Sequence, residues 1–588
     1  MSRRSIVSVM CAVTLLAQSG LAQSTTETTG KGSGSPAVST SPAGSPPSAE
    51  DLKQLRERIA QQEAQIKHLQ EAVDEQQKLL ERSLAASAQP KATTTADGTP
   101  TVATLNTQPV SLIPAVGGTA PLTAAASTTT TTGRSGQHNI ANPPSSLAIK
   151  IGNTTFTPLG FVDATFYGRS SNVGSGIGTN FGSIPYNTAA TNHVSEANFS
   201  TQNSRIGFRV DSEVLGAKVL GYFEADFLGN QPTTVFVSSN SDTFRMRNVF
   251  VDVEKNGFEF LGGQDWSMMT PNRKGLSPLP SDIFYTQDMD TNYQAGLVWS
   301  RQTQFRFIAH PNENLAFGVS LENPEQYIGG ANGAGTITAP AAFVSTVGSS
   351  TVNGQFNNGS TNYGAPNLHP DIVFKGAYDG HVGDKLMHIE AAGLIRSFKF
   401  ANGAGKPVSY STYTATAASG EVNGNFEVAK NVHLIANTFF GSGNGRYIFA
   451  QAPDVVIRAN GSIAPLHSYS TVDGFEANLG KNNLLYAYYG GIYIDRDQIF
   501  DSTATGSTLA KPVYVGYGYT GSSSSQNRAI QEGTIGIVRT FWKSPSYGAL
   551  SLITQYSYLT RNPWYVATAA PKNTHTNMYW IDLRYTLP

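Results

Sequence analysis

The feature of the sequence that most constrains the fold is a two-residue alternation of apolar and polar side chains. It begins at about Ile149 and persists to the C-terminus. In residues 204–211, for example, Ile206, Phe208 and Val210 alternate with charged residues or glycine. Because side chains on a β-strand point alternately to opposite faces, the pattern predicts strands with one apolar and one polar face.

The alternating segments are separated by connections of two kinds. Similar segments recur at 315–321, 372–378, 432–440, 484–494 and 550–558. Short turns, such as 311–314, 428–431 and 480–483, differ from long connections rich in Gly, Asn, Ser and Thr at 170–191, 327–367 and 500–527. Short turns at one end and long loops at the other are typical of outer-membrane barrels. We therefore predict an all-β, transmembrane antiparallel β-barrel over residues 149–588, with about 16 strands in a range of about 14 to 18.

The composition agrees with a barrel wall that separates two environments. Charged residues make up 14% of the chain, against roughly 25% in soluble proteins, and the mean hydropathy is -0.22. The chain is too polar for a bundle of membrane-spanning helices. The formal net charge of -1 gives no indication of a nucleic-acid partner.

The first segment of the chain is typical of a Sec-type signal peptide. Arg3 and Arg4 precede an apolar run over residues 6–16, and small residues end the segment before Gln23. We assign residues 1–22 to this signal peptide. Cys11 is the single cysteine, so the mature chain has no disulfide or cysteine-based metal site. No apolar run long enough for a transmembrane helix follows.

Three segments precede the predicted barrel. Residues 23–47 are rich in Ser, Thr, Gly and Pro and are predicted to be disordered. Residues 48–86 carry a heptad pattern that predicts a periplasmic coiled coil, with a lone solvated helix as the alternative. Branched residues at one core position and leucines at the other favour two strands, although Gln62 and Gln76 weaken that preference. Residues 87–148 are a low-complexity linker.

One long connection is the best candidate for a constriction of the channel. Residues 264–296 contain three prolines, which exclude a central strand. The segment also carries opposed charges, and a loop folded into the lumen would narrow it and set a transverse field. The alternative is an ordinary extracellular loop. The candidate constriction residues are Arg273, Lys274, Asp282, Asp288 and Asp290.

Arginines within the predicted strands are the second set of candidates. An arginine on the lipid face costs about 2–4 kcal/mol at mid-membrane, so these should face the lumen. They could form a cationic ladder for carboxylates, or they could pair with lumen acids such as Asp211, Glu224 and Asp226. A β-bulge near Asn248 would resolve the ambiguous register of residues 245–253. The arginines are Arg205, Arg209, Arg245, Arg247, Arg306 and Arg396.

Tryptophans near the predicted strand ends are candidates for the aromatic belts at the membrane interfaces, although some could line the lumen instead. These residues are Trp266, Trp299, Trp542, Trp564 and Trp580.

Several motifs, taken in order, resemble the DcaP-like trimeric outer-membrane porins. The leader, coiled coil, linker and barrel match that family's organisation, and the motifs span most of the barrel. The resemblance implies a sixteen-stranded homotrimer, with coiled coils on the periplasmic side, that passes small anionic solutes such as dicarboxylates. The motifs are SRIGF at 204–208, GGQDWS at 262–267, RQTQFR at 301–306, ENP at 322–324, PDIV at 370–373 and GSGNGRY at 441–447.

The sequence therefore favours a passive porin in the bacterial outer membrane. Its expected partners are membrane lipid, small solutes, further copies of the chain and, through the coiled coil, the periplasm or cell wall. We expect no cofactor, metal or nucleic acid. An envelope tether acting through the coiled coil is the first alternative. An outer-membrane enzyme is the second, but the chain contains no GxSxG or HExxH motif.

Overall fold

The computed structural model describes residues 145–229, 242–330, 333–343, 355–357, 365–402 and 411–588. The predicted signal peptide, disordered segment and coiled coil, with nearly all of the linker, lie outside these residues. Within the described part of the chain, no helix is long and apolar enough to cross a membrane.

Sixteen long antiparallel strands form one sheet. They are β1 (Thr154–Arg169), β2 (Arg205–Val214), β3 (Ala217–Asp226), β4 (Arg245–Lys255), β5 (Phe258–Trp266), β6 (Arg301–Ala309), β7 (Leu315–Glu322), β8 (Asp371–Val382), β9 (Lys385–Asn402), β10 (Ser411–Ala429), β11 (Val432–Ser442), β12 (His467–Asn478), β13 (Asn483–Ile494), β14 (Asn527–Ser544), β15 (Gly548–Pro563) and β16 (Thr574–Thr586). Each pairs with the next in chain order.

The sheet closes on itself. β1 pairs with β16, from Phe161 opposite Thr586 to Arg169 opposite Met578. A closed barrel has no edge strand with unpaired N–H and C=O groups. The predictions of an all-β fold, an antiparallel barrel and sixteen strands are confirmed.

Shorter elements complete the described chain. Glu196–Ser200 extends the pairing of β1 beyond β2, and Ile149–Ile151 pairs with the first residues of β1. The remaining short strands are Val455–Ile457, Ile463–Pro465, Asp497–Phe500 and Tyr514–Tyr517, and the 3₁₀ turns are Phe181–Ser183, Ala190–His193, Ala341–Phe343 and Gly445–Tyr447.

The two ends of the barrel differ as predicted. At one end, tight turns join the strands: Leu215–Gly216 and Asn256–Gly257 all have positive φ. Two consecutive left-handed residues match the twist of a hairpin, which explains the glycine at each second position. We call this the short-turn end. The long connections lie at the opposite, long-loop end.

The alternation in the sequence corresponds to the inner and outer faces of the barrel wall. On β6, Phe305 and Phe307 are 61% and 49% exposed on the outer wall. Gln304 and Arg306, which alternate with them, are 2% and 3% exposed and face the lumen. The apolar face is therefore the outer face, as a wall surrounded by hydrocarbon requires.

Three sequence-based predictions about local structure can be scored. The predicted bulge is confirmed, because Glu224 pairs with Asn248 while Ala225 pairs with Met246, which leaves Arg247 as the extra residue. The connection predicted at 264–296 runs instead over residues 267–300, because β5 continues to Trp266 and β6 begins at Arg301. Residues 297–300 pack with the preceding loop rather than with the sheet.

Three of the five tryptophans take the second alternative, a place inside the barrel. Trp266, Trp299 and Trp580 are each 1% exposed inside the barrel. Trp542 is 43% exposed on the outer wall, where its ring lies 6.0 Å from that of Tyr585. Trp580 lies on the lumen-facing parity of β16, whereas Trp266 is the last residue of β5 and Trp299 lies in the connection to β6.

Candidate functional site

Residues 267–300 connect β5 to β6 and lie inside the barrel; we call them the inward loop. The loop folds as a hairpin, with Asn272 bridged to Ile283 and the N–H of Arg273 donating to the carbonyl of Asp282 at 2.6 Å. At its tip, the N–H of Gly275 donates to Asp379 Oδ2 at 2.9 Å. Asp379 lies near the short-turn end of β8, so the loop crosses most of the depth of the lumen.

The local sequence explains why this segment does not continue the sheet. Pro271, Pro278 and Pro280 lack the N–H that a central strand needs. Gly275 and Gly296 adopt φ of 53° and 95°, a region that other residues rarely adopt. Chain reversals at these positions return the loop to the long-loop end.

The first half of the loop, residues 267–282, is bound by charged wall residues; we call it the descending arm. Lys375 Nζ donates to the carbonyl of Thr270 at 2.8 Å and forms an ion pair with Glu390 at 2.8 Å. Glu390 also accepts from the N–H of Asn272 at 3.1 Å. The arm is therefore bound to β8 and β9.

The second half, residues 283–300, is the return arm and contacts a different part of the wall. The N–H of Gln287 donates to the Tyr488 hydroxyl at 3.1 Å, and that of Met289 donates to Gln555 Oε1 at 2.7 Å. The N–H of Ala295 donates to Glu532 at 2.8 Å. These contacts bind the arm to β13, β14 and β15.

The predicted constriction residues all lie in this loop, in different environments. Arg273 forms a bidentate pair with Glu476, with both N···O distances 2.8 Å. Lys274 is exposed at the tip and Asp282 is half-buried. Asp288 and Asp290 are fully buried in the return arm. The structure therefore brings Arg273, Lys274 and Asp282 together at the tip and keeps the two other carboxylates apart from them.

The two buried aspartates differ in how they are satisfied. Asp290 accepts from the N–H groups of Thr179 and Asn292. Neither carboxylate oxygen of Asp288 has a hydrogen-bond partner among the described residues. Burial away from water, with Asp290 as a neighbouring like charge, raises the pKa of Asp288 well above its usual range. The charged form of Asp288 is thus poorly stabilised in this conformation.

The predicted strand arginines all face the lumen and are ion-paired. The pairs are Arg205 with Glu224 at 3.3 Å, Arg209 with Asp211 at 2.6 Å, Arg245 with Asp226 at 2.6 Å, Arg247 with Glu224 and Asp226 at 2.7 Å, Arg306 with Asp265 at 3.4 Å, and Arg396 with Asp371 at 3.0 Å and Asp454 at 2.8 Å. These contacts match the alternative in which the arginines pair with acids in the lumen. Their role as a ladder for carboxylates stays a prediction.

Sequence reasoning missed a further lumen cation, Arg301. Its Cζ lies 5.2 Å from the centroid of the Trp266 ring, which Arg247 also approaches at 5.5 Å. Among the described residues, Nε and Nη1 of Arg301 have no hydrogen-bond partner. In the RQTQFR motif, Arg301 alternates with Gln302, Gln304 and Arg306, so the pattern does not predict a lumen position for it. Its side chain nevertheless reaches the lumen, from the first position of β6.

The lumen lining presents charged groups of both signs. Within the described residues, no group of three or more His, Cys, Asp or Glu could hold a metal ion. The lumen instead contains charged groups on opposing surfaces, held by strands and by the inward loop. Such a lining can select solutes by size and charge.

The comparisons with known proteins bear on the fold. No family model matches the chain, and no curated protein sequence matches it. Among solved structures, it is similar to the outer membrane channel DcaP of Acinetobacter baumannii, with 16% identity and a TM-score of 0.52 over 74% of this chain and 98% of that chain.

Two further solved structures align at lower scores. The anion-selective porin from Comamonas acidovorans is 12% identical, with a TM-score of 0.38 over 74% of this chain and 99% of that one. Salmonella typhi OmpF is 10% identical, with a TM-score of 0.36 over 75% and 99%. From its closed sixteen-stranded barrel with a loop folded into the lumen, and from the DcaP comparison, the chain has the fold of a DcaP-like porin.

Proposed function

We propose that this chain is an outer-membrane porin through which small hydrophilic solutes diffuse passively. The observation that carries the proposal is the closed barrel with an apolar outer wall and a polar lumen. In hydrocarbon every backbone polar group must be satisfied internally, which a closed barrel achieves. Short turns then lie in the periplasm and long loops outside the cell.

Anions are the proposed preferred solutes. Of four lumen arginines near Trp266, three pair with the same two acids, Glu224 and Asp226. Arg301 adds donors without a partner among the described residues. A carboxylate fits a guanidinium in a bidentate manner, so a small dicarboxylate is the solute class proposed. The four arginines are Arg205, Arg245, Arg247 and Arg301.

The tip of the inward loop is proposed as a second selecting element. Arg273, Lys274 and Asp282 lie there, where the loop approaches the short-turn end. Because Arg273 is paired with Glu476, Lys274 is the tip cation exposed toward the periplasmic mouth. Neutralising Arg273 and Lys274 together is expected to reduce anion preference, and an unchanged preference would contradict this part of the proposal.

A homotrimer with its coiled coils in the periplasm is the proposed assembly. Ser145 Oγ donates to the carbonyl of Pro588 at 2.7 Å, at the short-turn end of the strands. Ser145 therefore lies on the proposed periplasmic side of the barrel. The same observation favours the second candidate, an envelope tether, and deletion of residues 48–86 separates them: intact conductance favours the porin, and loss of envelope integrity favours the tether.

Reconstitution into planar bilayers tests the porin function and its charge preference together. We expect discrete conductance steps, and a reversal potential under a salt gradient that indicates anion preference. Arg301→Gln should shift the reversal potential toward zero. Arg539→Gln is the matched control, because Arg539 is exposed on the outer wall. Conductance without a shift in Arg301→Gln would overturn the anion assignment, and absence of conductance would overturn the porin assignment.

A further inference from the structure

The return arm of the inward loop has no side that faces water. Every residue from Ile283 to Trp299 is buried. A loop lying along one wall of an open channel would expose the side chains that point away from that wall. Here both sides are covered, one by strands and the other by the long connections above it.

The loop reaches across the whole lumen. It starts at β5 and ends at β6, while its return arm binds Glu532 of β14. In a closed ring of sixteen strands, β14 lies eight strands from β6, on the opposite wall. On a third side, Leu279 packs against the cluster formed by Leu220, Tyr222, Phe250 and Leu261, on β3 to β5.

Glycines in the wall make room for this loop at two separate places. A Cβ at Gly490 of β13 would lie 1.9 Å from the carbonyl oxygen of Ala295. A Cβ at Gly318 of β7 would lie 2.8 Å from Met268 Sδ and 3.3 Å from Leu276 Cδ1. Both glycines face the lumen in mid-strand, where glycine weakens a strand and marks close approach of another chain segment. The wall is thus shaped to seat both arms.

The long-loop end covers the loop from above. The Trp299 ring stacks on that of Phe449, with centroids 4.9 Å apart and planes at 13°. The backbone N–H of Trp299 donates to the carbonyl of Tyr447 at 2.9 Å. Phe181, from the connection after β1, meets Phe449 edge-on at 5.9 Å. Two long connections and the return arm therefore form one packed layer.

We propose that residues 267–300 are a plug that closes the lumen in this conformation, and that solutes pass only when the return arm leaves its seat at Gly490. The inference rests on the proposed porin function and adds its regulation. A side chain at position 490 points into the lumen. A substitution at position 490 therefore disturbs the plug, while the backbone hydrogen bonds that join β13 to β12 and β14 stay intact.

Gly490→Ala in the mature chain is the direct test, by single-channel recording in planar bilayers. The added methyl group overlaps Ala295, so the seated state is destabilised, and we expect the open fraction to rise by about tenfold. Gly533→Ala is the matched control: Gly533 lies on the next strand, faces outward, and has no atom within 4 Å of its Cβ position. The open fraction of Gly533→Ala should equal that of the wild type.

Different failures identify different errors. If the wild type shows long-lived open steps and Gly490→Ala shows the same steps, the plug proposal is overturned and the porin proposal stands. Absence of current in all three proteins would overturn the porin.

A second measurement does not depend on the folding of Gly490→Ala. With Cys11 replaced by serine, Met289→Cys should react with a water-soluble thiol reagent at least about tenfold more slowly than Lys274→Cys, because local opening limits the reaction of buried groups. Equal rates would overturn the plug.

Discussion

The two arms of the inward loop are held in the same lumen by different means. The descending arm binds charged wall residues: Lys375, Glu390 and Asp379 contact its backbone, and Glu476 holds Arg273. The return arm is held mainly by neutral groups, by contact with Gly490 and by aromatic stacking.

This difference indicates which arm moves. Breaking a buried ion pair leaves an uncompensated charge and costs more than releasing neutral contacts. The descending arm should therefore stay in place during opening, while the return arm, which also carries the unsatisfied Asp288, is released. Four perturbations test the comparison.

The largest expected effect is from Lys375→Met in β8, where the wall binds the descending arm. Lys375 is 3% exposed and lies 2.8 Å from Glu390 and 3.8 Å from Glu421. Its removal takes the lysine cation from two buried carboxylates, of which Glu390 keeps a contact with His388 at 3.2 Å, and we expect a loss of about 3–5 kcal/mol. Thermal unfolding in detergent, followed by heat-modifiable gel migration, should show a lower transition temperature. Lys481→Met, in an exposed turn, is the control, and equal transition temperatures would contradict the role of Lys375.

The next effect is the pH dependence of opening, which arises from the return arm. The raised pKa of Asp288 favours the seated state when this carboxyl is protonated. Asp290 and Glu476 add like charge nearby. Raising the pH above the ordinary carboxyl range should thus increase the open fraction, by at most about tenfold per pH unit. Asp288→Asn should flatten this profile in single-channel recordings, and an unaltered slope would exclude Asp288 as the titrating group.

A smaller effect is expected from Arg273→Gln at the tip. The pair with Glu476 is partly exposed, so its loss should cost about 1–2 kcal/mol, between the values for exposed and buried pairs. A double-mutant cycle with Glu476→Gln, measured as the open fraction at low and high salt, isolates the pair. A coupling energy between the two substitutions that falls as salt rises supports the ion pair. If the effects of the two single substitutions simply add, the pair does not hold the tip.

The smallest effect is expected where the return arm meets the long-loop end. Phe449→Leu removes the ring that stacks on Trp299, which is worth about 0.5–1.5 kcal/mol. The open fraction should rise by a few-fold, and tryptophan fluorescence should shift toward longer wavelength as Trp299 meets water. Phe541→Leu, on the outer wall, serves as control. A spectrum identical to that of the wild type would contradict the stacked arrangement.

The sequence predicts the wall far better than the contents of the lumen. Alternation and turn chemistry are local properties of the sequence. The sequence alone therefore predicts which side of the wall residues such as Phe305 and Arg306 face. Pro271, Pro278 and Pro280 excluded a strand and indicated the inward loop. The pairing of Arg273 with Glu476 joins residues 203 positions apart, and no spacing rule contains it. Nor does any spacing rule contain the stacking of Trp299 on Phe449, which decides between the belt and the lumen for that tryptophan.

The central claim is that the alternating pattern separates hydrocarbon from lumen, and accessibility scanning along β6 tests it most directly. Single cysteines at positions 302–307, in a chain lacking Cys11, would carry a fluorescent label in bilayers containing a lipid-soluble quencher. The account predicts strong quenching at Thr303, Phe305 and Phe307, and weak quenching at Gln302, Gln304 and Arg306. Uniform quenching along the strand, or full accessibility of all six positions to a water-soluble quencher, would contradict it.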